Sequence, residues 1–226
     1  GVGMFLFFFF FGLSDWPALC GAIVFQAMPK LISHYAAGHL TLFYSVCLTP
    51  WLLWTEQIRA SALSSKRLAR AILPGVLLGV ILLADLRWAS YAAGLWVAYA
   101  VMRASFRRTR ATVRAISAWL GGLLLQVGVA LAVSACLWLP LLEYVSLSTR
   151  AALTSADRVG ISLPLGNLLG VFIPSLGGYA EWELYAGALP WLLLIFTLAV
   201  PELRKRTWFW LAVLGISILA ALGGSL

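Results

Sequence analysis

Long apolar runs, separated by short arginine-rich segments, constrain the fold of this chain more than any other feature. Runs such as 72–102 and 116–139 carry few charges, and about 20 apolar residues are enough for a helix to cross a bilayer. Only 11% of the residues are charged, whereas an ordinary soluble domain has about 25%. Because backbone polar groups inside lipid must be satisfied internally, such spans are helices. The sequence therefore predicts an all-α, polytopic transmembrane helical bundle.

The apolar runs divide into about eight predicted spans. The chain opens inside one apolar run and closes just past another, so we expect residues 1–226 to be a single transmembrane domain that is cut at both ends. Apart from the run 72–102, the expected spans are 2–13, 17–32, 40–54, 116–139, 186–200 and 208–222.

The run 72–102 fits either one helix or a tight hairpin. A single helix would be about 46 Å long at 1.5 Å per residue, well beyond the core of about 30 Å, and would place Asp85 and Arg87 near its middle. A hairpin moves this charged pair to the interface. It also places the basic segments 59–70 and 103–114 on the same side, as the positive-inside rule requires. The sequence therefore predicts a hairpin.

The net charge of +8 is also explained by the positive-inside rule. Most of the Lys and Arg residues lie in 59–70, 103–114 and 204–206, and short basic loops of this kind face the cytoplasm. We therefore expect an inner-membrane protein with cytoplasmic basic loops. The lipid bilayer is the expected partner, and nucleic acid is not.

The segment 140–185 is the one long stretch of mixed character, and we expect it to be an extracytoplasmic loop. It contains half of the acidic residues, which a bilayer accepts only outside the hydrocarbon or in a protein cavity. Within it, 161–174 is apolar but too short to span. That piece is expected to form an interfacial or re-entrant helix.

Two histidines, His34 and His39, flank YAAG in the first outer loop, close to Lys30. Their separation of five residues does not suit a helical zinc pair, so we expect no metal site from them. Two roles remain open: interfacial histidines that cap helix ends, and hydrogen-bonding contacts to a phosphate or a sugar hydroxyl.

Arginines and carboxylates of the long loop are the other candidates. Arg150 and Arg158 present planar forks that suit phosphate oxygens, although local pairing with Asp157 or Glu143 is an alternative. Carboxylates there could accept sugar hydroxyls, hold a divalent cation or act as a general base. A divalent cation is the one cofactor under consideration. The predicted substrate-binding residues are Lys30, His34, His39, Glu143, Arg150, Arg158 and Glu181.

Several motifs resemble those of YfhO-like bacterial membrane proteins, within the GT-C class of polytopic glycosyltransferases. HYAAGHL precedes a span that ends in TPWLLW, and LPLLEYVSLSTR, SLP, IPSLGG and EWELYAG follow in the family's order. SLPL stands where the family has SLPP. The motif positions that carry over are His34, His39, Glu143, Arg150 and Glu181, whereas Lys30 and Arg158 come from the residue arguments above.

The resemblance implies transfer of a sugar from a polyprenyl-phosphate donor to a glycan or other cell-envelope acceptor at the outer face. It also implies that the principal catalytic carboxylate lies in a loop upstream of this sequence, so the catalytic residues are not assigned here.

Two other functions remain as alternatives. A transporter or flippase of lipid-linked glycans, without its own transferase chemistry, would show polar residues near the membrane midplane and paired repeats. Neither is evident in the predicted spans. A structural or assembly protein without a substrate would use its outer charges only at the interface.

Overall fold

The computed structural model describes residues 1–60, 67–107, 113–148, 163–174 and 183–222, and every regular element in these ranges is a helix. The predicted all-α class is therefore confirmed for the described residues. The helices are α1 (Val2–Phe11), α2 (Asp15–Gln26), α3 (Pro29–Ala36), α4 (Leu40–Ala60), α5 (Arg67–Ala84), α6 (Leu86–Arg107), α7 (Val113–Val133), α8 (Ala135–Leu147), a 3₁₀ helix (Leu165–Val171), α9 (Ala188–Ala199) and α10 (Pro201–Leu222).

The chain forms two compact units. The first contains Gly1–Gln26 and Leu40–Glu143, and the second contains Ala27–His39 and Tyr144–Leu226. The core of the first unit lies where α4, α5, α6 and α7 meet, around Leu52, Ile81 and Trp96.

One segment among the described residues is long and apolar enough to cross a membrane. It is Ile116–Val133 in α7, and most of its 18 residues are exposed; Leu124, for example, is 71% exposed. The other apolar helical segments have 10–17 residues. By length and composition the structure thus identifies one candidate span, where the sequence predicts about eight.

Helix α5 runs antiparallel to α4. The hydroxyl of Thr41 donates to Asp85 Oδ2 at 3.4 Å, and the hydroxyl of Ser45 donates to the carbonyl of Ile81 at 3.4 Å. The partner numbers fall along α5 as they rise along α4, which defines opposite directions.

Helix α6, in contrast, runs parallel to α4. Trp88 Nε1 donates to Thr49 Oγ1 at 2.8 Å, and Gln57 Nε2 donates to the hydroxyl of Tyr99 at 2.9 Å. The residue numbers of the partners rise together along α4 and α6, which defines the same direction. Helices α5 and α6 are therefore antiparallel, and the chain reverses at Asp85, between their ends. The predicted hairpin is confirmed.

Helices α5 and α7 approach each other through two glycines. A Cβ atom added at Gly75 would lie 2.9 Å from the Cα of Gln126 and closer still to its carbonyl oxygen. A Cβ atom added at Gly79 would lie 2.7 Å from Val133 Cβ. Small residues four apart are typical of closely packed transmembrane helices. The side chain of Gln126 adds a hydrogen bond across the pair, to the carbonyl of Ala71 at 3.1 Å.

Two proposed helix boundaries in the N-terminal part are wrong. The predicted span 17–32 is interrupted, because α2 ends at Gln26 and α3 begins at Pro29. Proline disfavours helical backbone in the residue before it, and Met28 is extended, with φ −62° and ψ 123°. The segment expected to be the first outer loop is therefore largely the short helix α3.

Two further boundaries differ in the rest of the chain. The predicted span 116–139 is broken at Ser134, whose hydroxyl donates to the carbonyl of Ala130 at 2.8 Å. Such bonds from serine to the preceding turn bend helices. Helix α10 begins at Pro201, a favoured first position, so the basic segment 204–206 lies within a helix and not in a loop.

The second unit contains the short helix that the sequence predicts between Pro164 and Pro174, in 3₁₀ form. Trp191 of α9 fixes its end by donating from Nε1 to the carbonyl of Val171 at 2.9 Å. The rings of Phe172 and Trp191 are 5.0 Å apart. Helix α9 exposes apolar side chains over most of its surface, as expected of a helix with lipid around it.

Candidate functional site

The two predicted histidines lie side by side, in a turn that we call the histidine turn (Lys30, His34 and His39). Lys30 and His34 are four residues apart on α3 and share one face of it. Gly38, with φ +81°, reverses the chain after the helix. The backbone N–H of His39 then donates to the carbonyl of His34 at 3.0 Å. The two imidazole rings pack edge to face, with centroids 5.6 Å apart.

The histidine turn offers nitrogen donors and a positive charge within a short span of chain. His34 is largely covered, at 8% exposure, whereas Lys30 and His39 are half-buried. Among the described residues no group of three or more His, Cys, Asp or Glu could hold a metal ion. The imidazole and ammonium N–H groups of the histidine turn are donors that suit contacts to phosphate or sugar oxygens.

Of the other predicted site residues, Glu143 lies in the described part of the chain and is exposed on α8. It does not follow a helix end at Pro140, because α8 continues through that proline to Leu147. Arg150, Arg158 and Glu181 lie outside the described residues, so their roles stay predictions.

A second group of polar residues, the Asp85 cluster (Thr41, Asp85, Arg87 and Trp88), lies where the hairpin turns. Asp85 Oδ1 accepts from the backbone N–H of Arg87 at 2.9 Å and of Trp88 at 3.1 Å, which caps the first turn of α6. Asp85 Oδ2 accepts from the Arg87 guanidinium at 3.0 Å and from Thr41. Asp85 itself is buried, while the Arg87 side chain is 73% exposed.

These contacts set the pKa of Asp85. Burial alone would raise the pKa, but hydrogen bonds from the Arg87 side chain and from the backbone of Trp88, together with the charge of Arg87, bring it below 3.8. A depressed carboxyl pKa means that ionised Asp85 stabilises the folded state at neutral pH.

We therefore expect an acid-dependent contribution from Asp85 to the free energy of unfolding. It is fully present above about pH 5 and is lost as the pH falls through 3.8 and then through the lower pKa of the folded state. Asp85→Asn keeps a capping acceptor but removes the charge, so the stability difference from wild type shrinks between about pH 5 and pH 2. Thermal unfolding in detergent across this range measures it. A difference that stays constant with pH would contradict the assignment.

A third group, the Glu56 cluster (Glu56, Gln57, Arg59, Trp96, Tyr99 and Arg103), lies near the opposite ends of α4 and α6. Glu56 is 1% exposed. Its carboxylate accepts from Arg59 Nε at 2.8 Å, from the terminal nitrogen of Arg59, and from Trp96 Nε1 at 3.3 Å. The charge is therefore paired on its own helix and hydrogen-bonded to α6.

Gln57 and Tyr99 extend the Glu56 cluster. Gln57 Nε2 donates to the carbonyl of Phe7 at 3.2 Å as well as to Tyr99, so it ties α1 to α4 and α6. Arg103 lies one turn beyond Tyr99. Its NH1 donates to the tyrosine hydroxyl at 3.4 Å, and its guanidinium carbon is 5.7 Å from the centre of the ring, within cation–π range.

The Glu56 cluster is not predicted by the sequence pattern, because the apolar run ends at Trp54 and Glu56 and Arg59 are expected in the loop that follows. Helix α4 continues to Ala60, so both residues are helical. A signal was available, since a Glu and an Arg three residues apart support a helix. The burial of Glu56 depends on α6 and could not be inferred from that spacing.

No family model, curated protein or solved structure matches the chain. The resemblance to YfhO-like proteins therefore rests on the motifs in the sequence.

Proposed function

We propose that the chain is part of a polytopic bacterial inner-membrane protein, with about eight spans, that transfers a sugar from a polyprenyl-phosphate donor to an acceptor at the outer face. The observation that carries this proposal is the histidine turn. Two imidazoles and an ammonium group lie within one short helix and turn, directly before α4 in the sequence. The two histidines also occupy motif positions of the GT-C family that the chain resembles.

The membrane location is supported by the surface and the charges of the helices. Helices α7 and α9 expose mainly apolar side chains, and α5 packs on α7 through glycines in the manner of membrane helices. Within the first unit, the Asp85 and Glu56 clusters lie at opposite ends of α4 and α6. In the sequence, the basic segments 59–70 and 103–114 continue from the end with the Glu56 cluster, which would be the cytoplasmic end under the positive-inside rule.

The chemistry would be a displacement at the sugar's anomeric carbon. An acceptor hydroxyl oxygen forms the new bond, its proton passes to a carboxylate, and the bond to the lipid phosphate oxygen breaks. Negative charge develops on the departing phosphate, where Arg150 and Arg158 would stabilise it. The histidine turn would hold the donor phosphate or the acceptor hydroxyls in place.

We expect Arg150→Ala to reduce sugar transfer at least about tenfold, equivalent to about 1.4 kcal/mol, because a phosphate contact is lost. The measurement is release of labelled sugar from a polyprenyl-phosphate donor by the intact protein in proteoliposomes. Arg87→Ala, at an exposed arginine outside the predicted site, is the matched control. Normal release by folded Arg150→Ala protein would refute the placement of the phosphate, and equal loss in both variants would reduce it to a general charge effect.

A transporter or flippase of lipid-linked glycans, without its own transferase chemistry, is the second candidate. The histidine turn would fit it as well, because contacts to a lipid-linked phosphate serve transport as well as transfer. The same proteoliposomes separate the two functions: a transporter would move the labelled lipid between leaflets without releasing sugar.

A further inference from the structure

The Glu56 cluster has an excess of positive charge. It contains two guanidinium groups but one carboxylate, and that carboxylate pairs with Arg59. Arg103 has no carboxylate partner among the described residues and instead contacts the hydroxyl and the ring of Tyr99. Arg103 Nε is buried and makes no hydrogen bond in the described part of the chain. The side chain is half-buried, so its unpaired charge is only partly compensated by water.

The two arginines lie at similar depth. The hydrogen bond between Gln57 and Tyr99 fixes the register of the parallel helices α4 and α6. Arg59 follows Gln57 by two residues and Arg103 follows Tyr99 by four, which correspond to about 3 Å and 6 Å along the helix axes. Both guanidinium groups therefore lie near the C-terminal ends of neighbouring helices. The partial negative charge of these helix ends favours cations but does not neutralise a full positive charge.

We propose that Arg59 and Arg103 bind the phosphate of an anionic phospholipid where α4 and α6 end. A guanidinium presents a planar fork that matches phosphate oxygens, and basic pockets between helices on the cytoplasmic side bind anionic head groups. The inference rests on the membrane location within the proposed function. It does not depend on sugar transfer.

Charge at the ends of α4 and α6 favours a lipid head group over a free phosphate. In the sequence, the basic segments 59–70 and 103–114 continue from these ends, which would lie at the cytoplasmic membrane surface. Basic residues at that surface attract anionic lipid head groups. A phospholipid also buries its acyl chains in the bilayer, whereas inorganic phosphate would gain only the charge contact.

The test compares lipid binding to the intact protein in detergent, with native mass spectrometry as the readout. We expect wild type to retain phosphatidylglycerol at least about tenfold better than phosphatidylcholine. Arg103→Gln is expected to reduce this preference to about threefold or less, and Arg103→Lys to an intermediate value because it keeps the charge but loses the fork. Arg87→Gln, on the same helix at its other end, is the matched control and keeps the full preference.

Each other outcome has a defined meaning. Equal retention of the two lipids by wild type, or equal loss in Arg103→Gln and Arg87→Gln, would overturn the site while leaving a general membrane location intact. Displacement of phosphatidylglycerol by inorganic phosphate at the same concentration would overturn the lipid as its source. Failure to retain any lipid would count against the membrane location as well. Melting temperatures of Arg103→Gln and Arg103→Lys show whether a change in binding reflects the site or the fold.

Discussion

Gly75→Ala is expected to destabilise the protein by about 1–3 kcal/mol, although alanine is the better helix former. The added Cβ would meet the backbone of Gln126 at 2.9 Å from its Cα, and helix backbone cannot move aside as a flexible side chain can. Relief requires α5 and α7 to separate. That would also weaken the hydrogen bond from Gln126 to the carbonyl of Ala71.

Gly94→Ala is the matched control for this effect. Gly94 lies inside α6, and a Cβ there would have nothing within 4 Å. Only the backbone propensity changes at this position, so Gly94→Ala is expected to be neutral or to stabilise by up to about 1 kcal/mol. Thermal unfolding of both variants in the same detergent measures the difference. If the two substitutions shift the melting temperature alike, the close approach of α5 and α7 at Gly75 is wrong.

The hairpin at Asp85 could be predicted from the sequence because charge placement in a bilayer leaves few choices. Asp85 and Arg87 could not be placed near the middle of a span, and the two basic segments had to lie on one side. The sequence did not reveal that Asp85 itself caps α6. That role depends on backbone geometry at the turn.

Contacts between distant segments could not be predicted from the sequence. The approach of Gly75 to Gln126 joins two helices whose relative rotation no local pattern specifies. At the break between α7 and α8, the hydroxyl of Ser134 donates to the carbonyl of Ala130. The apolar pattern alone gives no reason for α7 to end there.

Part of the candidate site could be predicted from the sequence and part could not. His34 and His39 could be placed together because only five residues separate them. The Glu56 cluster is assembled from α1, α4 and α6, so its members lie far apart in the sequence. Composition indicated charge near position 56 but could not show whether it faces solvent or a helix.

Glu56→Leu is expected to destabilise the protein most, by about 3–5 kcal/mol, because it removes one partner of a buried ion pair. Arg59 would keep its charge beside an apolar side chain, and Trp96 Nε1 would lose its acceptor. The double variant Glu56→Leu with Arg59→Met removes both charges and is expected to recover most of the loss. Unfolding free energies of the two single variants and the double variant form a cycle that isolates the pair. Additive losses would show that Glu56 and Arg59 do not depend on each other.

A milder substitution at Glu56 connects stability to lipid binding. Glu56 pairs with Arg59, so Glu56→Gln removes the carboxylate that competes with a phosphate for that guanidinium, while it keeps a neutral acceptor for Trp96. We expect this milder variant to lose stability but to prefer phosphatidylglycerol over phosphatidylcholine more strongly than wild type does, since Arg59 then meets the phosphate without a competing negative charge. A network that serves only to hold α4 against α6 would lose stability without any gain in lipid preference. Opposite changes in the two measurements would therefore distinguish an anion-binding site from a purely structural one.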